Sequence, residues 1–273
     1  MSKATATDVS RVTSADGTEI AYVTGGDGPP LVLVHGVLSD HTRWAALRPY
    51  LESVVTVHAM DRRGRGASAD APDYAAHREF EDVAAVVDAV ASAAGTPVDV
   101  YGHSGGASFA LGAMSLTSNV RRLALYEPAL DPSALLPPGL LGRLDALLAE
   151  GEEEAVVETF MREVLHMDDD GVATYRAQPS WPARVAAAHT LPRELRIPAE
   201  VFHEPLRRGT ATVATLLLEG SETPPAFKAD TETLAAGLPD ARVAVLEGQG
   251  HTADALAPEL VAGHLLEFLS EER

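Results

Sequence analysis

The residues Gly102-His103-Ser104-Gly105-Gly106 carry the clearest chemical signal in the sequence. They fit the pattern G-x-S-x-G. An apolar, β-leaning run from Pro97 to Tyr101 precedes them, and a small-residue run with helical character, roughly Gly106 to Leu116, follows. A serine between a strand and a helix sits on a sharp turn that exposes its hydroxyl at the edge of a sheet. Small neighbours let such a turn close. The N-terminus of the following helix favours a developing negative charge. A serine hydroxyl is nevertheless a poor nucleophile without a base. Among the ten histidines, His251 combines a strand-end loop, flanking glycines (Gly248-Gln249-Gly250) and a place after the serine. The two residues read as nucleophile and general base.

Composition narrows the alternatives. The chain of 273 residues has 21 basic and 40 acidic side chains, a formal net charge of -19, and no cysteine. Disulfides, thiolate metal sites and a cysteine nucleophile are excluded. The scarcity of Lys and Arg argues against a nucleic-acid surface. Lysine occurs only at Lys3 and Lys228, so a catalytic lysine is not expected. The sequence has no H-E-x-x-H metal pattern, no G-x-x-x-x-G-K-[ST] and no G-x-G-x-x-G, which predicts an enzyme without a metal or cofactor. The N-terminal stretch MSKATATDVSR has no apolar core of a signal peptide. The uncharged run Val100 to Val120 contains Gly102, Gly105, Gly106 and Gly112 and reads as strand, turn and helix, not as a membrane span. The expectation is a cytoplasmic protein with no membrane partner; its oligomeric state, monomer or homodimer, stays open.

The elements that must hold Ser104 and His251 follow from periodicity. Residues 9 to 23 read as a hairpin around Ala15-Asp16-Gly17-Thr18. Leu31 to Val34 is a continuous apolar run, as expected of a strand buried on both faces. Asp40 to Leu51 reads as a helix, Val54 to Met60 as a strand, and His77 to Ala94 as an amphipathic helix with Phe80, Val83, Val87 and Val90 on one face. Pro97 to Tyr101 and Arg122 to Tyr126 are further strands. From about Leu130 to Arg208 helical patterns continue without a buried strand. Ala214 to Leu218 and Arg242 to Leu246 then resume the strands, and Pro225 to Leu238 and Pro258 to Leu269 the helices. The prediction is an α/β protein with a mostly parallel eight-stranded sheet, helices on both faces and a helical insert after the sixth strand. The core comprises residues 1–128 and 209–273, and the insert residues 129–208.

The order serine, acid, histidine resembles that of the α/β-hydrolases. The residues that carry the resemblance are His35-Gly36 after the first long strand, Asp61 to Ser68 (DRRGRGAS), the turn at Ser104, and Gly250-His251 followed by Pro258-Glu259. The sequence looks most similar to lidded members with esterase, lactonase or haloperoxidase activity. The resemblance implies an oxyanion hole made by the backbone N–H groups of Val37 and Gly105. It implies that the insert forms a lid. His35 and the loop arginines Arg62, Arg63 and Arg65 are read as shaping residues.

The acid is ambiguous. In many relatives it follows the next-to-last strand, three residues after a glycine, and that position holds Thr223. Threonine cannot stabilise an imidazolium as a carboxylate does. Two replacements remain. Glu127 ends the strand after the nucleophile helix, as in some dehalogenases and macrolactone hydrolases of this fold. Its extra methylene gives reach, and Pro128 forces an abrupt exit from the strand. Glu222 lies one residue from the usual position. Glu127 is preferred.

A serine nucleophile argues against epoxide hydrolases and haloalkane dehalogenases, which use a carboxylate at that turn. The expected reaction is hydrolysis of a small-to-medium hydrophobic carboxylic ester or lactone through an acyl-enzyme. Perhydrolysis or haloperoxidase chemistry, C–C bond hydrolysis, a lyase or cyclase outcome and a ligand-binding role are the rivals. Leu38, Trp44, Phe160, Met161 and Trp181 are the expected substrate contacts, with His166, Met167 and His189 as further candidates for the pocket. Residues 131–175 carry 11 acidic and 2 basic side chains, whereas residues 176–210 carry 6 basic and 3 acidic. The acidic first part predicts that strongly anionic substrates are disfavoured at the entrance.

Overall fold

A computed structural model describes residues 9–271; most of the polar stretch before Arg11 lies outside them. Eight strands form one sheet: β1 (Val9–Thr13), β2 (Glu19–Gly25), β3 (Pro30–Val34), β4 (Thr56–Met60), β5 (Val98–His103), β6 (Val120–Tyr126), β7 (Ala214–Gly220) and β8 (Ala241–Leu246). The order across the sheet is β1-β2-β4-β3-β5-β6-β7-β8. The pairs β1–β2 and β2–β4 are antiparallel, and every other pair is parallel. The mostly parallel α/β sheet expected from the sequence is therefore present.

Period-two alternation sends successive residues of the central strands to opposite faces. Val32, Val34, Val100, Leu123 and Leu125 pack under the helices Ala76–Ala94 and Gly105–Ala113. Leu31, Leu33, Tyr101, Ala124 and Tyr126 pack against the other face, where helix Pro258–Ser270 lies. Both faces are covered, which is why β3 is wholly apolar and the polar residues of β5 and β6, Asp99, His103, Arg121 and Arg122, sit toward the strand ends.

The stretch Asp40 to Leu51 departs from a single helix. It is a short 3-10 turn, His41–Ala45, followed by one helical turn, Arg48–Leu51. Asp40 caps the first by accepting from the Thr42 N–H at 2.9 Å, and Pro49 starts the second. Two separate starts within twelve residues break the element in two.

Between β6 and β7 the chain is helical, from Leu140–Ala149 through Glu153–Glu163, Asp169–Arg176, Trp181–Ala186 and Leu191–Leu195 to Ala199–Arg208. Val156, Val157, Phe160 and Met161 line one face of Glu153–Glu163 and join Leu140, Leu144 and Leu38 in a third apolar cluster. Glu153 and Glu154 occupy its first turn, where the helix dipole favours them. At the other end of this segment, Phe202 packs against Phe109 and Phe80 of the sheet-covering helices, with ring centroids 5.5 Å and 6.3 Å away. Among the described residues no helix is long and apolar enough to cross a membrane.

Candidate active site

The sheet places the chemistry at its topological switch. After β3 the chain moves to one side to form β4, then returns across β3 to form β5 on the other. The loops that leave the C-terminal ends of β3 and β5 diverge there and open a crevice. His35 to Leu38 leave β3, and Ser104 follows β5 directly.

Ser104 has φ 55° and ψ -130°, a region L-residues rarely occupy. Packing enforces it. A Cβ on Gly106 would meet the Val34 carbonyl oxygen at 2.3 Å, and one on Gly102 would meet Ala107 Cα at 2.6 Å. Only hydrogen fits at either place, so helix and strand close on each other and Ser104 is pushed out at the turn. Ser104, Gly105, Val37 and Leu38 line one cavity with His251. Gly105 is the first helical residue, and such N–H groups have no acceptor within their own helix. Leu38 also has a positive φ, 49°, in the loop that carries Val37.

Glu127 reaches His251. His251 Nδ1–H donates to Glu127 Oε2 at 2.5 Å. Glu127 is fully buried at the end of β6 with φ 45°. Its Oε1 accepts from the Gly220 N–H at 2.8 Å and from the Thr223 hydroxyl. Glu222 is exposed and uses its backbone instead, its N–H donating to the Gln249 carbonyl at 2.8 Å. The structure thus brings Glu127, and not Glu222, to the histidine. Ser104 and His251 face the same cavity without a direct hydrogen bond among the described contacts. Such bonds often tighten only when substrate is bound.

Several residues that brace His251 escaped the sequence reading. Phe227 stacks on its ring with centroids 4.2 Å apart and planes 25° apart. The Tyr126 hydroxyl donates to the Gly250 carbonyl and accepts from the Ala253 N–H at 3.2 Å. His103 Nε2–H donates to the His251 carbonyl at 2.8 Å. Burial and the neighbouring Arg43 hold the His103 pKa well below the usual histidine value, so its ring is neutral. Arg43 itself forms a buried two-pronged pair with Asp254, at 2.9 and 2.7 Å. These partners are 211 positions apart, and neither sits in a pattern that announces the other.

The shaping residues are buried too. The Arg62 N–H donates to His35 Nε2 at 3.1 Å, so His35 Nδ1–H donates to the Gly36 carbonyl at 2.8 Å. Arg62 pairs with Glu79 and Glu194, Arg65 with the same two carboxylates, and Arg63 with Asp82 and Asp16. Asp40, His41 and Asp61 lie close enough together to hold a metal ion. Asp61 already accepts from the backbone N–H groups of His41 and Ala67 and from the His41 ring, which makes it a brace for the loop.

Of the expected substrate contacts, Leu38, Phe160, Met161 and Met167 line the cavity. Trp44 does not. It is fully buried beneath the sheet against Tyr101, 5.5 Å between centroids, because its large apolar ring fills the core. Trp181 does not line it either. Its indole N–H donates to Glu154 Oε1 at 2.9 Å within the helical segment. His166 and His189 are exposed.

Comparison with known proteins agrees with this architecture. The chain is 39% identical to an alpha/beta hydrolase from Sphaerobacter thermophilus, with TM-score 0.79, covering 96% of this chain and 100% of that one. The enol-lactonase from Burkholderia xenovorans superposes with TM-score 0.75 at 19% identity, over 96% of this chain and 100% of that one, a likeness of fold. An N-formylmaleamate deformylase from Pseudomonas putida is 34% identical over 102 residues, a match that spans 36% of this chain and 37% of the deformylase. The sequence pattern of the alpha/beta hydrolase family matches residues 31–264, and the chain belongs to that family.

Proposed function

We propose that the protein is a serine hydrolase that cleaves a small-to-medium, largely hydrophobic carboxylic ester or lactone through an acyl-enzyme. The observation that carries this reading is the 2.5 Å bond from His251 to buried Glu127, in the cavity that Ser104 lines on its strained turn. The family membership and the deformylase relative support hydrolysis.

Ser104 Oγ attacks the carbonyl carbon while its proton passes to His251 Nε2. Glu127 keeps the Nδ1 proton in place, so Nε2 is free to accept, and it stabilises the imidazolium that forms. The N–H groups of Val37 and Gly105 meet the negative charge that develops on the carbonyl oxygen. The C–O bond then breaks, and His251 returns its proton to the leaving alkoxide. In the second half His251 takes a proton from water, hydroxide adds to the acyl carbon, and the Ser104 oxygen leaves with a proton from His251. The segment between β6 and β7 acts as the lid, with Phe160 and Met161 facing the acyl chain.

Labelling with a fluorophosphonate, combined with an ester and lactone panel, tests the reading. Ser104 is expected to be labelled in the folded protein, and Ser104→Ala to abolish both label and turnover. Turnover that survives Ser104→Ala overturns the nucleophilic mechanism.

A further inference from the structure

One cation in the cavity lacks a counterion. Arg184, on helix Trp181–Ala186, lines the same cavity as Ser104 and His251 and is only 5% exposed. Among the described residues no carboxylate forms an ion pair with it. One guanidinium nitrogen donates to the Leu38 carbonyl at 3.3 Å, a long contact. The group lies 4.8 Å from the Tyr175 ring centroid, and Nε has no hydrogen-bond partner. The surrounding charges do not neutralise it. Asp254 is spent on Arg43, which also lines the cavity, and Asp40 is spent on capping Thr42. Glu194, another wall residue, is held by Arg62 and Arg65. Burial and repulsion from Arg43 press the Arg184 pKa down to about 10, which still leaves it charged at neutral pH.

A buried, unpaired charge is costly, and a ligand that supplies the missing partner offsets that cost. Much of the remaining wall is apolar, with Phe109, Phe160, Met161, Val164 and Leu165 among its residues. The planar fork of an arginine matches a carboxylate with two parallel N–H···O bonds. We propose that Arg184 binds a carboxylate of the substrate, so that the preferred substrate is an ester or lactone whose acyl part bears a free carboxylate beyond an apolar spacer. This deepens the serine-hydrolase reading and rests on it. It also divides the electrostatics of the inserted segment: its first part, residues 131–175, is acidic, whereas Arg184 of its second part adds a positive charge to the cavity wall.

Two substrates matched in length test the proposal: para-nitrophenyl hemiglutarate and its carboxamide-capped counterpart. The unaltered protein is expected to prefer the carboxylate in kcat/KM. Arg184→Gln is expected to cut that preference about 10- to 100-fold, mainly through KM, the loss of one charge-assisted contact. Arg184→Lys should retain part of it. A merely structural role, such as holding the Leu38 carbonyl, would lower turnover of both esters equally and overturn the proposal, as would an absence of preference in the unaltered protein. Calorimetry of glutarate monoamide binding to Ser104→Ala provides a readout that needs no turnover. Binding that vanishes in Ser104→Ala/Arg184→Gln supports the site even if no ester is hydrolysed. Absence of binding alongside brisk turnover of the capped ester sinks this inference and leaves the hydrolase reading standing.

Discussion

Thr223 donates its hydroxyl to Oε1 of Glu127, the carboxylate whose other oxygen meets His251. Threonine thus stands where many relatives carry the acid, and it supports an acid delivered by the neighbouring strand. The Gly220 N–H adds a second bond to the same oxygen at 2.8 Å. Both leave Oε2 directed at the imidazole.

This relationship sets the order of effects at the acid. Glu127→Ala is expected to lower turnover by about 10⁴-fold, as loss of the acid does in comparable triads. Glu222→Ala should stay within a few-fold of the parent, and Thr223→Val should fall about tenfold, the value of one hydrogen bond to a charged group. Steady-state kinetics on one ester settles the ranking, and a collapse in Glu222→Ala alone would reverse the assignment.

The strained turn sets stability against activity. Ser104→Gly should raise the free energy of unfolding by about 1 kcal/mol or more, because glycine accepts the backbone angles that serine tolerates at a cost. The same variant should be inactive. Gly106→Ala should have the opposite effect on folding, since its Cβ would lie 2.3 Å from a backbone oxygen that cannot move away cheaply. Urea melts of the three proteins check both directions.

The buried pair between Arg43 and Asp254 should be intolerant of halving. Asp254→Asn leaves a buried guanidinium without its carboxylate, and the expected loss is about 3 kcal/mol or more of stability. A melt indistinguishable from the parent would show that the pair is expendable.

Two buried, neutral histidines predict sensitivity to acid. Burial and Arg62 hold the His35 pKa well below the usual value, and burial and Arg43 do the same for His103. In the unfolded chain each would take up a proton near pH 6.5, so below that pH the unfolded state binds more protons and stability falls. Each group contributes a slope of up to about 1.4 kcal/mol per pH unit between pH 6.5 and its lowered native value. Denaturant midpoints between pH 7.5 and 5 should show the decline, and His35→Gln should flatten it even if it starts lower.

Much of this molecule was readable from local pattern. The turn at Ser104 announces itself because its glycines, its strand and its helix are contiguous. Glu127 was reachable because Pro128 marks where the strand must end. The supporting contacts were not legible for a physical reason: Phe227 on His251, Tyr126 on the Gly250 loop and Arg43 on Asp254 join residues distant in sequence through side-chain types that serve many roles. The tryptophans misled in the other direction. A large ring next to a catalytic loop suggests substrate contact, yet Trp44 fills the core and Trp181 ties two helices of the insert together.

The ion pairs from Arg62 and Arg65 to Glu194, together with Phe202 seated against Phe109, have a mechanical consequence. They clamp the C-terminal end of the inserted segment to the loop after β4 and to helix Gly105–Ala113. Lifting that end would break a buried ionic network at a cost of about 3 kcal/mol or more, making such openings at least a hundredfold rarer than small ones. The segment is therefore fastened like a cantilever at the stretch around Glu194 and Phe202, and any opening toward Ser104 is expected to bend the acidic stretch before Trp181 and not to lift that root.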